Sequence, residues 1–173
     1  MTESYPRDMI GYGASPPHPQ WPGGARIALS FVLNYEEGGE RNVLHGDRTS
    51  EHYLTEVVGT QPRIGARDFS IESTYEYGSR AGFWRLHRLF TQRDMPITVY
   101  GVTMAMKRNP EAVRAMVDAG WDIASHALRW IDYDGMPEAE ERRQMEEAIE
   151  THTRLTGSHP VGWYCGRHSA NTR

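Results

Sequence analysis

The sequence contains one cysteine, Cys165, in 173 residues. A lone cysteine closes no intrachain disulfide and builds no cysteine zinc cluster. Its expected state is a half-buried small residue, a usage that suits a reducing cytoplasm. Basic runs are also missing. The 19 Lys and Arg are outnumbered by 23 Asp and Glu, for a net charge of −4, so a nucleic-acid partner is not expected. The opening MTESYPRDMIGYG has no basic n-region and no apolar h-region, so no secretory signal is expected. The longest apolar stretches, around 27–33 and 97–106, are too short to span a bilayer. No glycine-rich phosphate loop, nucleophile elbow or Cys–His arrangement is present. These absences leave a globular chain with room for one cored domain and not for two.

Residues 1–24, with PPHPQWPGG at 16–24, are rich in Pro and Gly and predict an extended arm. Residues 25–173 then form the domain. Short apolar runs predict strands at 25–33, 97–104 and 121–125, and a fourth within 157–165. Helical spacing of Phe83, Leu86, Leu89 and Phe90 predicts a helix over 79–93 with Ser79 as N-cap. Asn109 and Pro110 open a second helix that Gly120 stops. A third spans 137–155, with Met145, Ile149 and Leu155 inward and its many Glu and Arg residues on a solvated face. Residues 43–74 read as a long irregular excursion, of the kind that often serves as a functional loop. Strands alternating with helices imply an α/β fold with parallel strands.

Catalytic groups in such folds gather at the C-terminal ends of strands, and three polar clusters fall there. In NYEEGGE at 34–40, Glu36 and Glu37 are adjacent carboxylates able to divide general-base and ligand duties. Two glutamates there could equally form a charged turn, but Gly38 and Gly39 allow a ligand to approach the backbone. In SHALRWIDYD at 125–134, His126 sits at a strand end with Trp130 four residues on. A second histidine at that spacing would make a metal pair; tryptophan breaks it. In GWYCGRHS at 162–169, Arg167 could hold an anionic or carbonyl oxygen and Tyr164 could supply an aromatic wall; His168 and Asn171 are weaker candidates.

In order and spacing these clusters resemble the motifs of the polysaccharide-deacetylase (NodB-homology) superfamily, whose fold is a distorted (β/α) barrel. The usual Asp-Asp pair is matched by Glu36 and Glu37, the usual His-xxx-His by His126 and Trp130, and the arginine of the third motif by Arg167. The altered ligands look like the metal-independent allantoinase branch. The likeness extends through YPRDMIGYG at 5–13, PPHPQWPG at 16–23, ALSFVLNYEEGGERNVLHGD at 28–47, YEYGSRAG at 75–82, RWIDY at 129–133 and GWYCGR at 162–167. It implies a hydrolase that opens the cyclic amide of allantoin to give allantoate in purine catabolism, with no cofactor and no metal. Glu36 would activate water, Glu37 assist, His126 polarise the carbonyl or move a proton, and Trp130, Tyr164 and Arg167 line the pocket. Three positions depart from that branch: Ala127 stands where glycine is expected, and Cys165 and His168 where small hydroxyl residues are usual.

The resemblance implies a partial barrel whose C-terminal strands are missing, and so a truncated enzyme. Exposed strand edges and apolar core would favour a homo-oligomer. Three rival functions follow from the same residues. A metal-dependent carbohydrate N-deacetylase would show chelator sensitivity. An inactive fragment or assembly module would self-associate without activity. A cyclic imidase would open a different ring.

Overall fold

The computed structural model describes residues 6–167. The chain divides into two compact units, residues 1–30 and residues 31–173. In the first, the described residues are all exposed, with one 3-10 turn at Pro22–Gly24. The division comes after Ser30 rather than Gly24 because residues 25–30 join no strand.

The second unit is built on a parallel three-stranded sheet of order β1-β2-β3, comprising β1 Phe31–Tyr35, β2 Ile97–Gly101 and β3 Asp122–Ser125. It is part of the barrel architecture that the sequence implies. Helices α1 Phe69–Tyr77 and α2 Phe83–Thr91 link β1 to β2, α3 Thr103–Arg108 and α4 Pro110–Asp118 link β2 to β3, and α5 Glu138–Thr156 follows. Val99, Val102, Met106, Val113 and Met116 are fully buried between sheet and helices. Cys165 is free and half-buried, packed beside Ala127, Ile131 and Tyr133. No described helix is long and apolar enough to cross a membrane.

Several elements differ from expectation. The first helix starts at Phe69, capped by Asp68, whose side chain accepts from the Ser70 and Ile71 amides. Ser79 instead lies inside a π-helical turn, Gly78–Gly82, that joins α1 to α2. Phe83 is buried and Phe90 packs on the core, whereas Leu86 and Leu89 are exposed. The fully buried residues of α5 are Glu141, Gln144, Ala148, Thr151 and His152, while Met145, Ile149 and Leu155, expected inward, are partly buried and Leu155 packs on the core. The fourth strand is reduced to a single parallel bridge between Ser125 and Trp163. The third strand and the α4 helix, with its Asn109 cap, stand where predicted, whereas the second strand starts at Ile97 as predicted but ends at Gly101, because Thr103 and Met104 begin α3.

Ala127 adopts φ +68°, the left-handed region that costs a residue with a Cβ about 1–2 kcal/mol. Glycine gives back about 0.4–1 kcal/mol through the looser unfolded chain. Ala127→Gly also removes a buried methyl, a loss of about 0.8 kcal/mol, so the terms nearly cancel and Tm should stay within about 3 °C of the parent. A thermal melt checks this, and a larger shift in either direction would contradict it.

Candidate functional site

Register builds the site. Tyr35, Gly101 and Ser125 are paired across the three strands, so Glu36 and His126 each leave a strand end immediately beyond that row. The sheet spacing of about 4.8 Å per strand keeps their backbones apart, and their long side chains close the gap. His126 Nε2 lies 3.0 Å from Glu36 Oε1.

The other ring nitrogen fixes the proton count. His126 Nδ1 is 2.7 Å from the Tyr164 carbonyl oxygen, and a carbonyl only accepts, so Nδ1 carries a hydrogen. Nε2 then faces a carboxylate oxygen, and a contact at 3.0 Å requires a proton between them. Asn34 Nδ2 also donates to Glu36 Oε1 at 3.0 Å. Among the described residues Glu36 Oε2 accepts no hydrogen bond, and Glu36 borders a cavity of about 200 Å³. Glu36 and His126 thus share one proton while a carboxylate oxygen stays available to a ligand.

The His126 ring is buried, stacked parallel to Tyr100 and Tyr164 at centroid distances of 5.6 and 5.7 Å. Gly166 closes over its edge. A Cβ there would stand 2.5 Å from Trp130 Cδ1 and 2.7 Å from His126 Nε2, so only glycine lets these rings keep their places.

Glu37 borders the same small cavity and a larger one of about 660 Å³. Its Oε2 accepts from the Glu36 amide at 3.1 Å, and its Oε1 lies against Gly78 at the start of the π-helical turn, where a Cβ would collide with it. Burial, opposed by its backbone hydrogen bonds, pushes its carboxyl up to about 7. The native state therefore holds this proton where the unfolded chain, ionising near 4.5, has lost it. With more protons bound in the native state, stability falls as pH rises from about 4.5 to 7, and the loss is complete above 7. Replacing Glu37 with glutamine removes that loss. Denaturant unfolding should show E37Q gaining on the order of 2 kcal/mol over the parent at pH 8, with the gain shrinking toward pH 5. Equal differences at both pH values would contradict the assignment. Buried His152, held below the ordinary histidine range by desolvation, slopes the opposite way in both proteins and cancels in the comparison.

Trp130 and Arg167 border neither of these two cavities. The Arg167 guanidinium lies over Tyr53 and Trp130, at 4.4 and 5.0 Å from their centroids. Its Nη1 donates to both Glu51 oxygens at 3.0 and 3.1 Å, and its Nη2 to Asp132 Oδ2 at 3.0 Å. Two of its nitrogens are thus engaged by carboxylates, while its Nε is buried without a partner among the described residues. Tyr164 is more than half exposed and keeps its ring as a wall beside His126. His168 and Asn171 lie outside the described residues. Glu51, Tyr53, Tyr100 and Asp132 join the site without having been singled out in the sequence, as does Tyr75, which borders both cavities.

A catalytic metal of the kind the His-xxx-His pattern holds does not fit this donor set. Tryptophan presents an N–H and no lone pair, and Trp130 Nε1 is buried without a partner among the described residues. Both nitrogens of His126 are engaged. No described group of three His, Cys, Asp or Glu residues is arranged around an ion.

Comparison with known proteins gives a consistent set of relatives. The polysaccharide deacetylase family matches residues 63–173. A Schizosaccharomyces pombe protein provisionally named a polysaccharide deacetylase is 42% identical over 171 residues, which are 96% of this chain and 53% of that protein. Among solved structures, an allantoinase superposes with a TM-score of 0.90 at 62% identity, over 98% of this chain and 56% of its own. A Pseudomonas aeruginosa PAO1 protein, also provisionally named a polysaccharide deacetylase, superposes with a TM-score of 0.90 at 64% identity over the same shares. The chain spans about half the length of these relatives.

Proposed function

The chain belongs to the polysaccharide deacetylase family, and from that premise we propose that its site opens the hydantoin ring of allantoin to allantoate without a metal ion. The observation that carries this reading is the Glu36–His126 pair beside a small cavity, with Trp130 where the family pattern has a ligand histidine. The cavity of about 200 Å³ is below the range of about 300–1,000 Å³ usual for drug-sized ligands, which suits a small ring better than a sugar polymer.

In the proposed reaction, Glu36 Oε2 takes a proton from water. The water oxygen bonds to the ring carbonyl carbon, and the C=O π pair moves onto oxygen. As the C=O reforms, the ring C–N bond breaks, and the leaving nitrogen receives the proton that Glu36 took. Glu36 thus ends as it began, and the product is an open-chain acid that ionises to allantoate. His126 Nε2–H, anchored through Nδ1 on the Tyr164 carbonyl, holds Glu36 and shares its charge as the proton moves. Glu37 assists as a second, partly protonated carboxyl on the same cavity. Trp130 and Arg167 position His126, and Tyr164 walls it. The same reading takes the protein as a cytoplasmic homo-oligomer with no nucleic-acid or membrane partner.

A second reading, a carbohydrate N-deacetylase, is favoured by the names of the fission-yeast and Pseudomonas relatives. Incubating the purified protein with allantoin and, separately, with an N-acetylglucosamine oligomer separates the two. Allantoate formation without acetate release is the expected result. Acetate release with allantoin left intact would replace the first reading by the second.

A further inference from the structure

The cavity beside Glu36 is rich in acceptors. Glu36, Glu37 and Glu56 border it, with Leu54, Val57 and Ile71 as apolar walls. Its two threonines have committed their hydroxyl hydrogens to the backbone: Thr55 Oγ1 donates to the Val57 carbonyl and Thr74 Oγ1 to the Ser70 carbonyl. A substrate carbonyl placed against Glu36 needs its oxygen met by a donor, since charge grows there as water adds, and the carboxylates around it would oppose that charge.

Tyr75 meets this need. It comes from α1, borders the cavity together with Glu36 and Glu37, and its hydroxyl takes part in no hydrogen bond among the described residues. We propose that the Tyr75 hydroxyl is a catalytic residue, donating a hydrogen bond to the carbonyl oxygen of the substrate while Glu36 directs water at the carbonyl carbon. The phenol stays neutral through the working pH range: burial first, and then the charges of Glu51, Glu40, Glu36 and Glu37, push it well above the ordinary tyrosine range. It can donate without adding a negative charge to the cavity. The reaction class rests on the proposed function; the donor role requires only that the substrate present a carbonyl.

The test uses the full chain labelled with 13Cζ-tyrosine, the Tyr75 signal being assigned by its loss in Y75F. Hydantoin is the cyclic-ureide probe and N-acetylglucosamine the acyclic-amide probe. Hydantoin should move the Tyr75 signal and bind about tenfold more weakly to Y75F, which keeps the ring and loses only the hydroxyl. A Tyr75 signal moved by N-acetylglucosamine and not by hydantoin would uphold the donor role and overturn the ring-opening reading. A Tyr75 signal unmoved by both probes would overturn the donor role, even if His126 signals report binding. Should Y75F fail to fold by near-UV circular dichroism, labelled tyrosine incorporated at position 75 alone by amber suppression assigns the signal in the parent, and the shift alone decides.

Discussion

Replacing Glu36 with glutamine should lower allantoin turnover by about 10²–10⁴-fold, the usual contribution of a positioned general base. The two donors that reach this side chain, His126 Nε2 and Asn34 Nδ2, both point to Oε1, and a glutamine in this place has no carboxylate to take a proton from water. It also leaves buried His126 without the carboxylate that shares its proton, so Tm should fall as well. Steady-state kinetics on protein shown to be folded by near-UV circular dichroism checks the expectation. Near-normal turnover would remove Glu36 from the mechanism.

The largest stability effect is expected at Arg167. Its side chain is buried, and the Glu51 side chain beneath it is wholly out of solvent. Glu51 also accepts from the amides of Arg41, His52 and Tyr53, so its carboxylate is built into the loop that carries Tyr53 to the face of Trp130. Arg167→Met removes the guanidinium that, among the described residues, reaches both Glu51 and Asp132 and leaves a buried charge unmatched, which costs about 3–5 kcal/mol. For a chain of this size Tm should fall by about 6–20 °C. Glu51→Gln added to Arg167→Met should recover part of the loss, because a neutral amide in that place no longer needs a cation. A Tm within a degree or two of the parent would show that water reaches Glu51 and that the clamp contributes little.

What could be read in advance follows from how local the cause is. Glu36 and His126 were legible because each directly follows a short apolar run, and parallel pairing brings such positions together. Asn109 and Pro110 announce their helix within two residues. The α1 helix was hidden because Ile71 is its single buried side chain, and the π-helical turn breaks the phase between α1 and α2, so no helical period runs through both. The inward face of α5 carries Glu141, Gln144, Thr151 and His152, polar residues that a search for apolar spacing passes over. The run ending at Cys165 resembled a strand, yet it contributes two backbone hydrogen bonds around Ser125 and one bridge. That is enough to bring the Tyr164 carbonyl to His126. The Arg167–Glu51 pair joins residues 116 positions apart, and nothing near either one announces the other. An arginine at a strand end therefore gives no sign of the carboxylates that meet it. Tyr75 lay just past the stretch that reads as irregular, and its place at the cavity follows only from where α1 begins.

On the proposed reading, Glu36 and His126, with tryptophan in the place of a ligand histidine, open a cyclic amide without a metal ion. The decisive comparison is the rate of allantoate formation by protein dialysed exhaustively against a strong chelator with that of the same protein given back zinc, manganese or cobalt. Allantoate should form after dialysis at the original rate, with no gain from any added ion. Activity lost on dialysis and restored by one of those ions would contradict it.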